Sequence, residues 1–337
     1  MDSPASGIFL LLIAGAMNGS FTLPMKFTRK WAWENTWLVW TVYALILFPL
    51  VLTLATVPRL PAVYGAVDVS VLLTVIGCGA GWGISQVFFG LAVEALGIAL
   101  TFSVILGLSA VVGSLVPLIR FHPEKLFTAQ GFALLGGVAL VLVGVGVCAV
   151  AGRRREAALG KVSAPSKTPV MQGLLYCLIS GVGSALVNLG LTFGAPLLDS
   201  AQRLGTPSIW TPNAVWMPLM CAGAMPNLIY CIYLLRKNGT ANRLGLPATR
   251  SHFLLAGLMG FFWFASTLLY GIAAGLLGSL GAVVGWPLFM SLIVITASVW
   301  GVATGEWKGA GTRPLQIMYT GVGVLVLAIF VLASAGH

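Results

Sequence analysis

The sequence predicts an all-α integral membrane protein of ten transmembrane helices arranged as two inverted five-helix repeats. Three observations lead there. Of 337 residues, 58% are hydrophobic and 8% charged, whereas a soluble domain carries roughly a quarter charged residues. Apolar runs near the roughly 20 residues a helix needs to cross a ~30 Å hydrocarbon core recur ten times. The chain also resembles itself: residues 79–97 align without gaps to 260–278, matching at Gly79/Gly260, Trp82/Trp263, Ser85/Ser266, Gly90/Gly271, Ala92/Ala273, Leu96/Leu277 and Gly97/Gly278. Residues 7–15 likewise echo 173–181. Self-likeness at a long interval marks a repeated unit.

The spans are expected over 7–25, 35–57, 69–93, 97–119, 127–151, 170–194, 212–235, 252–276, 279–303 and 316–335. Continuous apolar runs favour helices over barrel strands, which alternate in polarity. The first run follows a tail without Lys or Arg and precedes Lys26, Arg29 and Lys30. That order is the reverse of a cleavable signal peptide, so the run stays as a span. Gly97 separates the third and fourth spans as Gly278 separates the eighth and ninth, which predicts tight antiparallel pairs. Small-residue spacings such as Gly79 to Gly83 predict close helix packing.

The one sizeable polar stretch, 152–169, divides the chain into a first repeat over 1–151 and a second over 170–337. Five spans per half turn the second copy upside down. That is an architecture of secondary transporters, whose active region lies near the bilayer midplane where the halves meet.

A net charge of +10 invites nucleic acid as a partner, but the basic residues follow topology. Fourteen of the eighteen lie after odd-numbered spans: Lys26, Arg29, Lys30, Arg153, Arg154, Arg155, Lys161, Lys167, Arg236, Lys237, Arg243, Arg250, Lys308 and Arg313. The positive-inside rule then makes 152–169 a cytoplasmic linker and puts both termini outside. The partner is the lipid bilayer, with no nucleic acid. The five cysteines, Cys78, Cys148, Cys177, Cys221 and Cys231, fall inside spans without CxxC spacing and read as packing residues.

Ionisable groups in mid-span usually mark ion paths or catalysis. Here Asp2, Glu34, Asp68, Glu124, Glu156, Asp199 and Glu306 lie in tails, loops or helix ends, Glu94 ends the third span, and His122, His252 and His337 are peripheral. A nucleophile with a base in reach, or a His and carboxylate metal set, is missing from that distribution. No enzyme, cofactor or metal is expected.

The spans do carry neutral polar and aromatic groups. These are Asn18, Ser20 and Thr22, then Trp82, Ser85 and Gln86, then Ser184 and Asn188. Asn213, Trp216, Asn227, Trp263, Ser266, Thr267, Tyr270 and Trp286 follow in the second half. Amides offer donors and acceptors together, and an indole face stacks on the C–H face of a pyranose. The inventory fits a neutral polyhydroxyl ligand. Trp82 and Trp263, deep and repeat-related, point to a cavity, whereas Trp37, Trp40 and Trp300 near span ends read as interfacial anchors. Ser and Thr in membrane helices often bond their own backbone. On this reading Asn188→Ala and Trp263→Ala weaken sugar binding while the fold survives.

Three stretches resemble a known family. FTLPMKFTRKWAWE (residues 21–34), WGISQVFFGLAVEALG (82–97) and GEWKGAGTRP (305–314) are similar to the L-rhamnose/proton symporter family of the drug/metabolite transporter superfamily. The resemblance implies the drug/metabolite transporter fold and proton-driven sugar uptake across the bacterial inner membrane. It implies family-type residues at Phe21, Pro24, Lys26, Lys30, Trp31, Trp33 and Glu34, and at Ser184, Asn188, Trp263, Tyr270 and Trp286. Near Trp286 the chain departs from the pattern: Ala282 and Phe289 replace an acid and a histidine, and Ser266 replaces an amide. Another sugar or small polar metabolite, imported or exported, with or without a proton, stays open.

The candidate substrate residues are therefore Asn18, Trp82, Gln86, Ser184, Asn188, Trp263, Ser266, Tyr270 and Trp286. For coupling and gating they are Glu94, the acid nearest a span interior, with Lys26, Glu34 and Glu306, where ion pairs to Lys26, Lys30, Lys308 or Arg313 would latch a closed state. The proton motive force is the implied energy source. A monomer or homodimer is expected.

Overall fold

The computed structural model describes residues 4–160 and 168–335. Among them, ten helices are long and apolar enough to cross a membrane: Ala5–Phe27, Trp33–Thr56, Val69–Leu96, Leu100–Phe121, Ala129–Ala158, Val170–Arg203, Ser208–Asn238, Pro247–Leu276, Gly278–Ala303 and Thr312–Ser334. They are spans 1 to 10 below. The described residues contain no strand. Every expected span is present, with ends shifted by a few residues, as fraying ends allow.

The largest shifts are at the C-terminal ends of spans 5 and 6. Span 5 continues as one helix to Ala158, so Arg153, Arg154 and Arg155 project from its last turns instead of from a linker. Span 6 runs on to Arg203. Asp2, Lys161, Lys167 and His337, used above in reading charge and topology, lie outside the described residues.

Local chemistry sets the turns. Asp68 and Thr128 cap spans 3 and 5, their side chains accepting from the amides of Ser70 and Gly131. Gly97 and Gly278 adopt φ of 81° and 77°, a region glycine enters without steric penalty. Each makes the sharp reversal between consecutive spans that its position predicts.

Spans 7, 8 and 9 open with a 3-10 turn, and spans 1, 2 and 6 change helix type or break along their length. Span 1 is α-helical to Ser20 and resumes as a 3-10 turn over Leu23–Phe27. Span 2 passes through a π-helical segment, Val42–Leu47, ahead of Pro49; Pro49 has no N–H to return to the preceding turn, and its ring crowds the carbonyl there. Span 6 breaks into Val170–Ser184, Leu186–Phe193 and Ala195–Arg203.

Span 10 packs along span 5, span 3 along spans 6 and 7, span 8 along spans 1 and 2, and span 4 along spans 5, 6 and 9. Span 9 packs on spans 1 and 10 as well. Glycines make the closest approaches. A Cβ on Gly79 or Gly83 would collide with the Leu219 or Gly223 carbonyl of span 7, and one on Gly260 would meet Tyr43 and Ala44 of span 2. Small residues at such crossings let membrane helices gain dispersion contacts. Cys78, Cys177 and Cys231 are buried and all five thiols are free, in keeping with packing roles.

Candidate substrate site

Near mid-span, spans 3 and 8 bring Trp82 and Trp263 together, stacked with ring centroids 5.3 Å apart and planes 29° from parallel. Trp40 of span 2 stands edge-on to Trp263 at 5.5 Å, and Trp37 lies 4.3 Å from Trp40. Trp33, stacked on Trp37 at 5.1 Å, carries the series to the end of the bundle that holds the basic loops. Trp37 and Trp40 are not interfacial anchors. Trp40 is 1% exposed, and the Trp37 indole donates to Asn227 Oδ1 at 3.2 Å. Trp33, Trp37 and Trp40 share one helical face through their spacing of four and three, which passes from an exposed Trp33 through a half-buried Trp37 to a fully buried Trp40.

The hydrogen-bonding capacity here is largely unspent. The indole N–H groups of Trp40, Trp82 and Trp263 donate to no partner among the described residues. Gln86, one turn beyond Trp82 and half-buried, reaches only Ser85 Oγ, at 3.5 Å, long for a hydrogen bond. Asn18 Nδ2 donates to Ser266 Oγ at 2.8 Å, while Ser266 Oγ donates to the Trp263 carbonyl at 2.6 Å. Ser184 sits half-buried at the first break of span 6.

The remaining predicted residues form a second group, roughly 10 Å farther along span 8 from the basic end, given 1.5 Å per residue between Trp263 and Tyr270. Asn188 Nδ2 donates to the Gly113 carbonyl at 2.7 Å and the Ala282 carbonyl at 3.0 Å. Its Oδ1 accepts from the Tyr270 hydroxyl. The Trp286 indole donates to the Ser109 carbonyl at 3.0 Å, and Tyr270 stacks on Phe289 at 5.2 Å. This cluster ties spans 4, 6, 8 and 9 together with its polar atoms bonded.

At the basic end, Lys26 Nζ pairs with Glu306 Oε1 at 2.6 Å and donates to Thr304 Oγ1 at 2.8 Å. Arg155 Nη1 meets Glu306 Oε2 at 3.0 Å, its guanidinium 5.1 Å from the Trp307 ring. Partial burial pushes the Glu306 carboxyl up, but the hydrogen bond and charge of Lys26, followed by those of Arg155, outweigh it and hold the pKa below the ordinary carboxylate value. Lys26 is thus the expected partner, while Arg155, assigned above to the linker, takes the place considered for Lys30, Lys308 or Arg313. Glu34 makes no ion pair among the described residues. It is 5% exposed and accepts from Asn238 Nδ2 at 3.0 Å and Thr240 Oγ1 at 2.7 Å. Glu94 is exposed at the end of span 3.

Beside the Lys26–Glu306–Arg155 cluster lies a cavity of about 330 Å³ between spans 1, 4, 5 and 9, lined by Thr22, Phe102, Ser103, Ser298 and Trp300 among others. None of the substrate residues expected from the sequence lines it. Asn18 reaches from span 1 to span 8, whereas Gly19 and Thr22 face the cavity; span 1 is therefore the partition between the two. Among the described residues no three His, Cys, Asp or Glu side chains are grouped as a metal site would require.

Ten apolar helices around a patch of unspent indole and amide groups are the make-up of a multi-pass membrane transporter. Sequence comparison then supplies the family. The family model described as L-rhamnose-proton symport protein (RhaT) matches residues 2–335, and the chain belongs to that family, one of sugar–proton symporters and not of enzymes. Curated relatives include the L-rhamnose-proton symporters of Salmonella paratyphi A and Salmonella typhi. Each is 29% identical over 329 residues, covering 96% of this chain and 95% of the relative. That of Salmonella enteritidis PT4 matches to the same extent.

Proposed function

We propose that this chain takes up L-rhamnose together with a proton by alternating access across a bacterial inner membrane, with both termini on the periplasmic side. The observation that carries the proposal is the match of the L-rhamnose-proton symport model along residues 2–335. The structure supports it with a neutral site of matching chemistry. Trp82 and Trp263 offer indole faces and free N–H donors, Gln86 and Asn18 add amides, and no charged group enters the set. A sugar presents C–H faces and hydroxyls to such a wall.

Two inverted five-helix repeats, within the drug/metabolite transporter superfamily, complete the proposed architecture. Exchange of each span n for n+5 turns the pairing of spans 3 and 7 into that of 8 and 2, of 1 and 8 into 6 and 3, of 1 and 9 into 6 and 4, and of 4 and 5 into 9 and 10; all of these pairs are packed. Gly79 and Gly260, matched in sequence, stand at corresponding crossings, on spans 7 and 2.

For alternating access, the Asn188 cluster seals the half of the bundle away from the basic end, and the cavity beside Lys26 opens in the basic half. Lys26, Glu306 and Arg155 act as a latch that joins span 1 and span 5 to the loop after span 9. Glu34 joins the start of span 2 to the loop after span 7. With Glu94, these acids are the candidates for proton coupling.

The test is uptake of radiolabelled L-rhamnose into proteoliposomes, with competing sugars, with and without an imposed pH gradient. Saturable uptake that rises with an inward proton gradient is expected. Saturable exchange indifferent to pH would keep a sugar carrier and remove the proton. Absence of L-rhamnose transport by folded protein would remove the substrate.

A further inference from the structure

We propose that Trp40 is a further substrate-binding residue, its indole N–H donating to an oxygen of the bound sugar. The inference rests on the sugar reading above and deepens it by naming a residue outside the set that the sequence motifs pick out.

Trp40 is 1% exposed, and its Nε1 has no hydrogen-bond partner among the described residues. Buried donors are rarely left in that state. Most other indoles of this chain are engaged: those of Trp31, Trp37, Trp286 and Trp300 donate to Arg243, Asn227, Ser109 and Ser20, although Ser180, Thr206, Asn213 and His252 also hold a buried polar atom without a partner among the described residues. Trp216 is also unpartnered, but a Cβ on Gly271 would sit 2.9 Å from its Nε1, so that N–H is pressed against helix backbone. Trp40 instead touches Trp263, which stacks on Trp82. Three indoles in a chain of ring contacts, each with an unclaimed N–H, form one donor-rich aromatic wall.

Backbone geometry gives a second, independent pointer. The hydroxyl of Thr41 is likewise buried without a partner, and the helix widens into its π-helical segment at Val42. Short π segments in helices concentrate at functional sites. Span 8 is pressed against this segment through Gly260, so the position of Trp40 is set by the same crossing that presents Trp263.

The decisive experiment is equilibrium binding of radiolabelled L-rhamnose to purified full-length protein, paired with the thermal midpoint of the sugar-free protein. Trp40→Phe keeps an aromatic ring and deletes the donor. The expected result is affinity about ten-fold weaker, one hydrogen bond's worth, with a thermal midpoint equal to or above wild type and, in transport, KM raised at unchanged kcat. Unchanged affinity would overturn the assignment, as would a loss of affinity that only tracks a lowered midpoint. Should Trp40→Phe fail to fold, β-(3-benzothienyl)alanine incorporated at position 40 replaces the N–H by sulfur in the same shape and decides the same question. Wild type without saturable L-rhamnose binding would sink the sugar reading itself, and this inference with it. Binding by wild type and equally by the variants would sink only the role of Trp40.

Discussion

Around Asn188, amide, phenol and indole groups are answered by carbonyls or side chains from spans 4, 6, 8 and 9. Around Trp263, the indole donors of Trp40, Trp82 and Trp263 and most of the Gln86 amide are answered by nothing among the described residues. Both regions are built from amides and aromatics, and both take residues from span 8, with Asn188 and Tyr270 fully buried and Trp263 and Gln86 half-buried. Residue type does not separate them; the state of their hydrogen bonds does. A saturated buried network holds helices in one arrangement. An unsaturated one has capacity left for a ligand.

The largest expected effect comes from cutting into the saturated region. Asn188→Ala removes the donors to the Gly113 and Ala282 carbonyls and leaves the Tyr270 hydroxyl without its acceptor. Each unsatisfied buried group costs about 1–3 kcal/mol, so a loss of about 3 kcal/mol or more is expected, read as a lowered midpoint in thermal unfolding. This differs from the expectation drawn from sequence, in which the fold survives. A stable Asn188→Ala protein that simply lost sugar binding would erase the distinction between the regions.

Next in size is Trp263→Ala, which takes the central ring out of the aromatic wall. L-rhamnose binding should weaken by about 2 kcal/mol, roughly thirty-fold, with a smaller fall in midpoint than Asn188→Ala because Trp263 is only half-buried. Gln86→Ala should cost about 1 kcal/mol of binding and nothing measurable in stability, since its amide holds no other part of the chain. If its midpoint falls as far as that of Asn188→Ala, Gln86 belongs with the architecture.

The smallest effect belongs to the basic end. Glu306 has a folded-state pKa below its unfolded value, so its contribution is present above the unfolded value and lost as pH falls through the folded one. Wild type should therefore lose a little stability relative to Glu306→Gln as the pH drops below about 4.3. The Glu306 side chain is 39% exposed and screened by solvent, which limits the effect to under about 1 kcal/mol. Transport and single-cysteine accessibility unchanged in Glu306→Gln would remove the latch.

Much of the fold was legible in the sequence, and the candidate site less evenly so. Gly97 and Gly278 marked sharp turns because the left-handed conformation they adopt selects glycine. Trp82 and Trp263 were drawn out by the internal likeness, and they stack on each other. For Trp40, closeness to a span end points to an interfacial anchor, whereas its spacing from Trp33 and Trp37 along one helical face is the signal of the buried position it takes. Arg155 is not legible as a partner of Glu306 because a run of charges after an apolar stretch reads as loop, while the helix in fact continues to Ala158. For Glu34, partners in the loop after span 7 could not be read from its own neighbourhood, where lysines are the nearest charges.

The sequence by itself determined that there are ten membrane helices, where they turn, and to which family the chain belongs. Hydropathy, glycine turns and motifs are properties of contiguous residues, so a linear reading captures them. Only the tertiary structure decided which polar groups are spent. The partners of Asn188 lie at Gly113, Tyr270 and Ala282, far along the chain, and the indole of Trp40 is free because none of the described residues brings it an acceptor. Hydrogen-bond satisfaction depends on angstrom-scale placement of distant neighbours, and no local pattern of residues encodes that.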